Sequence, residues 1–184
     1  MISAITLKMI CWVNSEAPLK SNITLIFLKL LSWLPLTVSR RFGKFFGYMI
    51  IWLDLQPIRV ARINLALCYP QLSPEQIEII GRGRMLHLGQ TLCETPRLWR
   101  KGNPWLGSKI VEVEGLDYLQ TVLANDRGTI LLIPHQGNWE VIGLWISQQA
   151  AMTSLYEPPK MRALEHYIKS SRERAGAKLV PTNV

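Results

Sequence analysis

The stretch Thr129-Ile130-Leu131-Leu132-Ile133-Pro134-His135-Gln136-Gly137-Asn138-Trp139-Glu140, with the apolar run from Val141 to Ile146 behind it, changes hydrophobic period part-way along. A β-branched and aliphatic burst stops at Pro134, and the chain turns through Gly137 and Asn138. Apolar residues then resume at helical spacing, which predicts strand, tight loop and helix in succession. The loop carries His135 at one end and Glu140 at the other.

Their separation has a geometric consequence. On a continuous helix, residues five apart lie roughly 140° from one another, since each advances about 100°, so the two could not share a face. If His135 ends the strand and Asn138 caps the helix, Glu140 falls in the first turn and the side chains can meet. A carboxylate there is favoured by the helix dipole, and it can hold an imidazole in one tautomer with its other nitrogen free as a base near neutral pH. That is the orienting half of a catalytic triad, with a substrate hydroxyl as the nucleophile. In open α/β sheets ligands bind outside the carboxyl ends of strands, which is where this loop would lie. The bare spacing is common, and a lone His is more often structural than catalytic.

His135-Gln136-Gly137-Asn138-Trp139-Glu140 resembles the His-x4-acid signature of glycerolipid-type acyltransferases, in the form typical of the late acyltransferases of bacterial lipid A biosynthesis. Other segments agree in order. Arg62 to Pro70 is similar to an upstream Asn-Leu-x-x-x-x-Pro block, and Glu94-Thr95-Pro96-Arg97-Leu98-Trp99 to a helical segment before the sheet. Tyr156 to Lys160 and Arg172 to Ala177 are similar to the region after the catalytic helix. The resemblance implies an enzyme that moves a fatty acyl chain from acyl carrier protein to a hydroxyl of a Kdo-bearing lipid A precursor, at the cytoplasmic side of the cell inner membrane. It implies His135 and Glu140 as catalytic residues and Arg172, Asn138 and Gly137 as substrate-binding. Arg172 suits a phosphate or a developing oxyanion. Gly137 would permit close backbone approach, and Asn138 would cap the helix. No metal or cofactor is implied, because a thioester is already activated. Members of that family run considerably longer than this chain, so a carboxyl-terminal truncation is expected. Rival readings are an acyltransferase with a glycerol-phosphate or glycolipid acceptor, or an inactive membrane-bound fragment.

Charge is uneven along the chain. Residues 1 to 62 hold eight Lys/Arg against Glu16 and Asp54, a net of +6 out of the total +8. These charges are interleaved with aliphatic runs, which suggests anionic lipid head groups as the partner and argues against nucleic acid. Asn22 to Thr37 is strongly apolar but is interrupted by Lys29 and should be kinked by Pro35, and a second run covers Phe45 to Leu53. Either one span with a snorkelling Lys29 or two interfacial helices fits, and a pair of core helices is the plainer alternative. Residues 1 to 15 lack the small-residue cleavage site of a secretory signal peptide. Cys11, Cys68 and Cys93 have neither paired nor metal-ligand spacing, which fits a reducing compartment.

The remaining elements follow from local signals. Arg59 to Leu67 reads as a short helix. Ser73-Pro74-Glu75-Gln76 opens a longer one toward Pro96, weakened by Gly81, Gly83 and Gly89, with His87 a packing or surface residue. Ile110 to Glu114, Thr153 to Tyr156 and Ala177 to Val180 read as strands. Leu116 to Ala124 and Met161 to Ala175 read as helices, and Asp126-Arg127-Gly128 as a turn. Tyr156 and Lys160 are candidates for the same cleft as His135. The expectation is an α/β fold: membrane-associated helices over residues 1–56, then an acyltransferase domain over 57–184 whose sheet carries helices on both faces and is incomplete at its carboxyl end.

Overall fold

A computed structural model describes residues 18–125 and 128–182. Cys11 and the turn at Asp126-Arg127 lie outside the described residues. Pro35 has no N–H to give a helix, and the apolar run around it is accordingly split: α1 (Pro18–Trp33) stops before it and α2 (Leu36–Trp52) starts after it. No described helix is long and apolar enough to cross a membrane. Next comes α3 (Gln56–Cys68), with proline in its first turn.

The spine of the molecule is α4 (Pro74–Gly107). It opens with the reciprocal cap that its sequence spells: the Ser73 hydroxyl accepts from the Gln76 backbone N–H at 3.3 Å, and the Gln76 side chain accepts from the Ser73 N–H at 2.8 Å. Pro96 does not end the helix. Its side chain is fully buried, and the helix continues until Gly102, whose φ of 67° breaks it. The glycines expected to weaken α4 have a different role at one position. A Cβ on Gly43 or Gly89 would run into the backbone of the opposing helix, and one on Gly47 would sit 2.7 Å from the Met85 carbonyl oxygen. These residues let α2 and α4 touch main chain to main chain, which larger residues would prevent.

Two apolar centres lie along this spine. Ile51, Ile58, Ala61 and Met85 close the first, among α2, α3 and α4. Leu98, Trp99, Leu106, Leu144 and Ala175 form the second, with Tyr167 edge-on to Trp99 at 5.7 Å. Two side chains of α4 also tie down the end of α1: Arg97 and Arg100 donate to the carbonyls of Ser32, Trp33 and Leu34, and the Arg100 guanidinium lies 4.1 Å over the Trp33 ring. Trp105, further along α4, lies beneath the Arg97 guanidinium.

The rest of the described chain is α5 (Leu116–Leu123), α6 (Trp139–Gln149), β1 (Met152–Tyr156), α7 (Arg162–Glu173) and β2 (Ala177–Pro181). β1 and β2 pair in parallel, Met152 opposite Ala177 through Tyr156 opposite Pro181, with α7 as the crossover. The fold is thus mostly helical α/β with a small two-stranded sheet. Two expected strands are corrected. Ile110 to Glu114 and Thr129 to Ile133 form no strand, and Val111, Ile130 and Leu132 are 99, 89 and 90% exposed. Alternation and β-branching make a segment fit a ladder, but a strand exists only when a neighbour takes its backbone groups. Among the described residues only β1 and β2 provide one another with that partner.

Candidate active site

The loop before α6 folds as its residues dictate. Gly137 takes a φ of +59°, and no protein atom lies within 4 Å of where its Cβ would be. The left-handed turn calls for glycine there; crowding by the protein does not. Asn138 is the N-cap, accepting from the Glu140 backbone N–H at 3.2 Å, while its amide donates to Glu94 Oε1 at 2.8 Å. The helix start is therefore pinned to the spine.

Glu140 follows in the first turn, where the helix dipole favours a carboxylate, and it is 6% exposed. Both of its oxygens are engaged. Trp99 donates its indole N–H to Oε2 at 2.9 Å, Arg172 Nε donates to the same oxygen at 3.1 Å, and Arg172 Nη2 donates to Oε1. This is a forked guanidinium–carboxylate pair with a third donor, the arrangement that can hold a charge away from water. Arg172 stands in the last turn of α7, and its Nη1 has no hydrogen-bond partner among the described residues.

His135 is exposed, and its ring rests 4.8 Å from that of Trp139 at a 50° tilt. The hydrogen bond expected between His135 and Glu140 is not made, because the carboxylate is occupied by stronger, charge-assisted donors. The three residues nevertheless share one cleft. His135, Glu140 and Arg172 line a cavity of about 460 Å³ whose other walls are largely apolar, with Leu144, Met152 and Leu179 among them. Tyr156 lines it too, its hydroxyl donating to Glu165 at 2.9 Å, and that carboxylate holds the phenol above its ordinary pKa. Lys160 is not part of the lining. Across the same loop, Gln136, Gly137 and Asn138 face a second cavity, of about 690 Å³, together with His87, Gln90, Thr91, Glu94 and Arg40.

Among the described residues no group of His, Cys, Asp or Glu is arranged to hold a metal. Residues 18–184 match bacterial lipid A biosynthesis acyltransferase. The chain belongs to that family.

Individual relatives agree. Over 127 residues, 67% of the chain, it is 29% identical to the lipid A biosynthesis palmitoleoyltransferase of Escherichia coli K12, of which that stretch is 40%. A lipid A biosynthesis acyltransferase of Haemophilus influenzae is 24% identical over 159 residues, 84% of the chain and 49% of the relative. The phosphatidylinositol mannoside acyltransferase of Mycobacterium tuberculosis H37Rv is 34% identical over 70 residues, 38% of the chain and 22% of the relative. The chain thus spans less than half the length of these relatives.

Two contributors were not anticipated from the sequence. Glu94 and Trp99 both come from α4, more than forty positions before the residues they hold. The block Glu94 to Trp99 resembles a family segment, but a family block does not say which side chains reach the site.

Proposed function

We propose that this chain carries the acyl-transfer site of an enzyme of lipid A or related glycolipid synthesis, with acyl carrier protein as donor and the hydroxyl of a Kdo-bearing lipid A precursor as acceptor. The observation that carries the reading is the shared cleft: an accessible imidazole, a guanidinium clamped by a buried carboxylate, and an apolar interior. His135 takes the acceptor hydroxyl proton. The oxygen attacks the thioester carbonyl, charge builds on the carbonyl oxygen beside Arg172, and the departing thiolate recovers the proton from His135. Glu140 acts through Arg172, fixing the guanidinium so that little reorganisation is needed when the charge appears. The apolar walls suit an acyl chain.

The membrane is the source of the acceptor in this reading. Support comes from α1 and α2, which expose Ile26, Leu30, Trp33, Phe45 and Trp52 on elements that also carry Lys20, Lys29, Arg40, Arg41 and Lys44. Apolar and aromatic side chains among basic ones suit an anionic bilayer surface at the cytoplasmic side of the inner membrane. Flotation with vesicles tests this: binding to anionic vesicles that resists mild salt is expected, and release by salt alone would reduce the attachment to charge.

His135→Ala should abolish transfer from acyl carrier protein while leaving vesicle binding intact, and unchanged turnover in that variant would refute the assignment. The mannoside acyltransferase relative favours a second reading, a glycolipid acceptor of another kind. Transfer to a Kdo-bearing precursor, a phosphatidylinositol mannoside and lysophosphatidate, measured side by side, separates the acceptors.

A further inference from the structure

The second cavity contains polar groups that the protein leaves unused. Gln90 and Thr91 are 6 and 8% exposed, and the side chain of neither makes a hydrogen bond among the described residues. Glu94 gives one carboxylate oxygen to Asn138, while its buried Oε2 has no hydrogen-bond partner and lies 3.7 Å from Arg40 Nη1. Buried polar groups are nearly always satisfied, and leaving one unpaired is costly. Glu94 Oε2 is such a group, and with the unengaged Gln90 and Thr91 side chains beside it on the same cavity it calls for a ligand that brings its own donors and acceptors.

The chemistry of the lining narrows what that ligand is. A free anion would meet the Glu94 carboxylate, and a free cation would meet Arg40. A neutral polyol suits all of them at once, because each hydroxyl can donate to Glu94 Oε2 or to the Gln90 carbonyl and accept from the Gln90 amide, the Thr91 hydroxyl or the Arg40 guanidinium. The loop carrying His135 separates this cavity, which Val141 and Ile142 also line, from the cleft of His135 and Arg172. We infer that the cavity is a subsite for the saccharide head group of the acceptor, with Gln90, Thr91 and Glu94 reading its hydroxyls. The assignment rests on the glycolipid acyl-transfer reading and adds where the sugar is held.

Binding can be measured without any transfer step. The probes are a β-1,6-linked N-acetylglucosamine disaccharide and mannobiose, titrated into the full chain and into Gln90→Leu/Thr91→Val. Wild type should bind one of them, and the double variant at least tenfold more weakly, since each neutral hydrogen bond lost is worth about two- to tenfold. The melting temperature of the double variant should be nearly unchanged, because the substitutions remove no side-chain hydrogen bond made among the described residues. The Gln90 side-chain amide resonance of the wild type should shift on titration, which needs no variant. Equal affinity of both proteins, no wild-type binding, an unmoved Gln90 amide, or a large loss of stability in the variant would each overturn the assignment. A wild type that binds the disaccharide through these residues yet transfers no acyl group sinks the proposed reaction and leaves the subsite standing. One that transfers without such binding does the reverse.

Discussion

Arg172→Met tests whether the Glu140 carboxylate depends on its guanidinium. Glu140 is 6% exposed, and its carboxylate is held by two hydrogen bonds from Arg172 and one from Trp99. Methionine fills much of the arginine's volume without its charge, so the carboxylate stays buried with the indole as its one remaining side-chain donor. Breaking a buried pair from one side costs about 3 to 5 kcal/mol, and because the Arg172 side chain is 26% exposed the lower end, about 3 kcal/mol, applies. For a chain of this size that is about 6 to 12 °C in melting temperature. Urea unfolding followed by tryptophan fluorescence gives the loss directly. Glu140→Gln/Arg172→Met removes both charges and should recover most of it, a coupling of about 2 kcal/mol or more. An Arg172→Met variant within about 0.5 kcal/mol of wild type, or a double variant whose cost equals the sum of the singles, would refute the reasoning.

Two further outcomes follow from the helical part. Gly89→Val forces a side chain between α4 and α2, where the backbones touch, and should cost about 3 kcal/mol or more, read as a drop in the urea midpoint; a change under about 1 kcal/mol would mean the helices do not meet there. Glu78 accepts from Arg62 at 2.7 and 3.1 Å, and that bond holds its carboxyl below the usual range. Its contribution is therefore present above the unfolded carboxylate pKa and disappears as pH falls through the lowered folded value. The melting-temperature gap between wild type and Glu78→Gln should be open at neutral pH and close in acid, and a gap that is constant with pH would exclude the ion pair as its cause.

Signals carried by neighbouring residues could be read directly from the chain. The Ser73 and Gln76 cap, the break at Pro35, the N-cap at Asn138 and the turn at Gly137 each depend on the chemistry of a few consecutive residues, and all are present. Thr153 to Tyr156 and Ala177 to Val180 carry the same kind of local pattern, and they are strands because each is the other's parallel partner. The strands at Ile110 to Glu114 and Thr129 to Ile133 did not form, because pattern states a preference while pairing requires a partner elsewhere in space.

For the site, the sequence determined which groups are present and that His135, Gly137, Asn138 and Glu140 lie in one turn. The tertiary structure decided which of them act on one another. Only the packing of α6 and α7 against α4 brings Trp99 and Arg172 to Glu140, turning the carboxylate from a partner for imidazole into the clamp of a guanidinium. A buried charge takes the strongest donors that packing puts within reach, and residues thirty to forty positions away become neighbours only when the chain has folded.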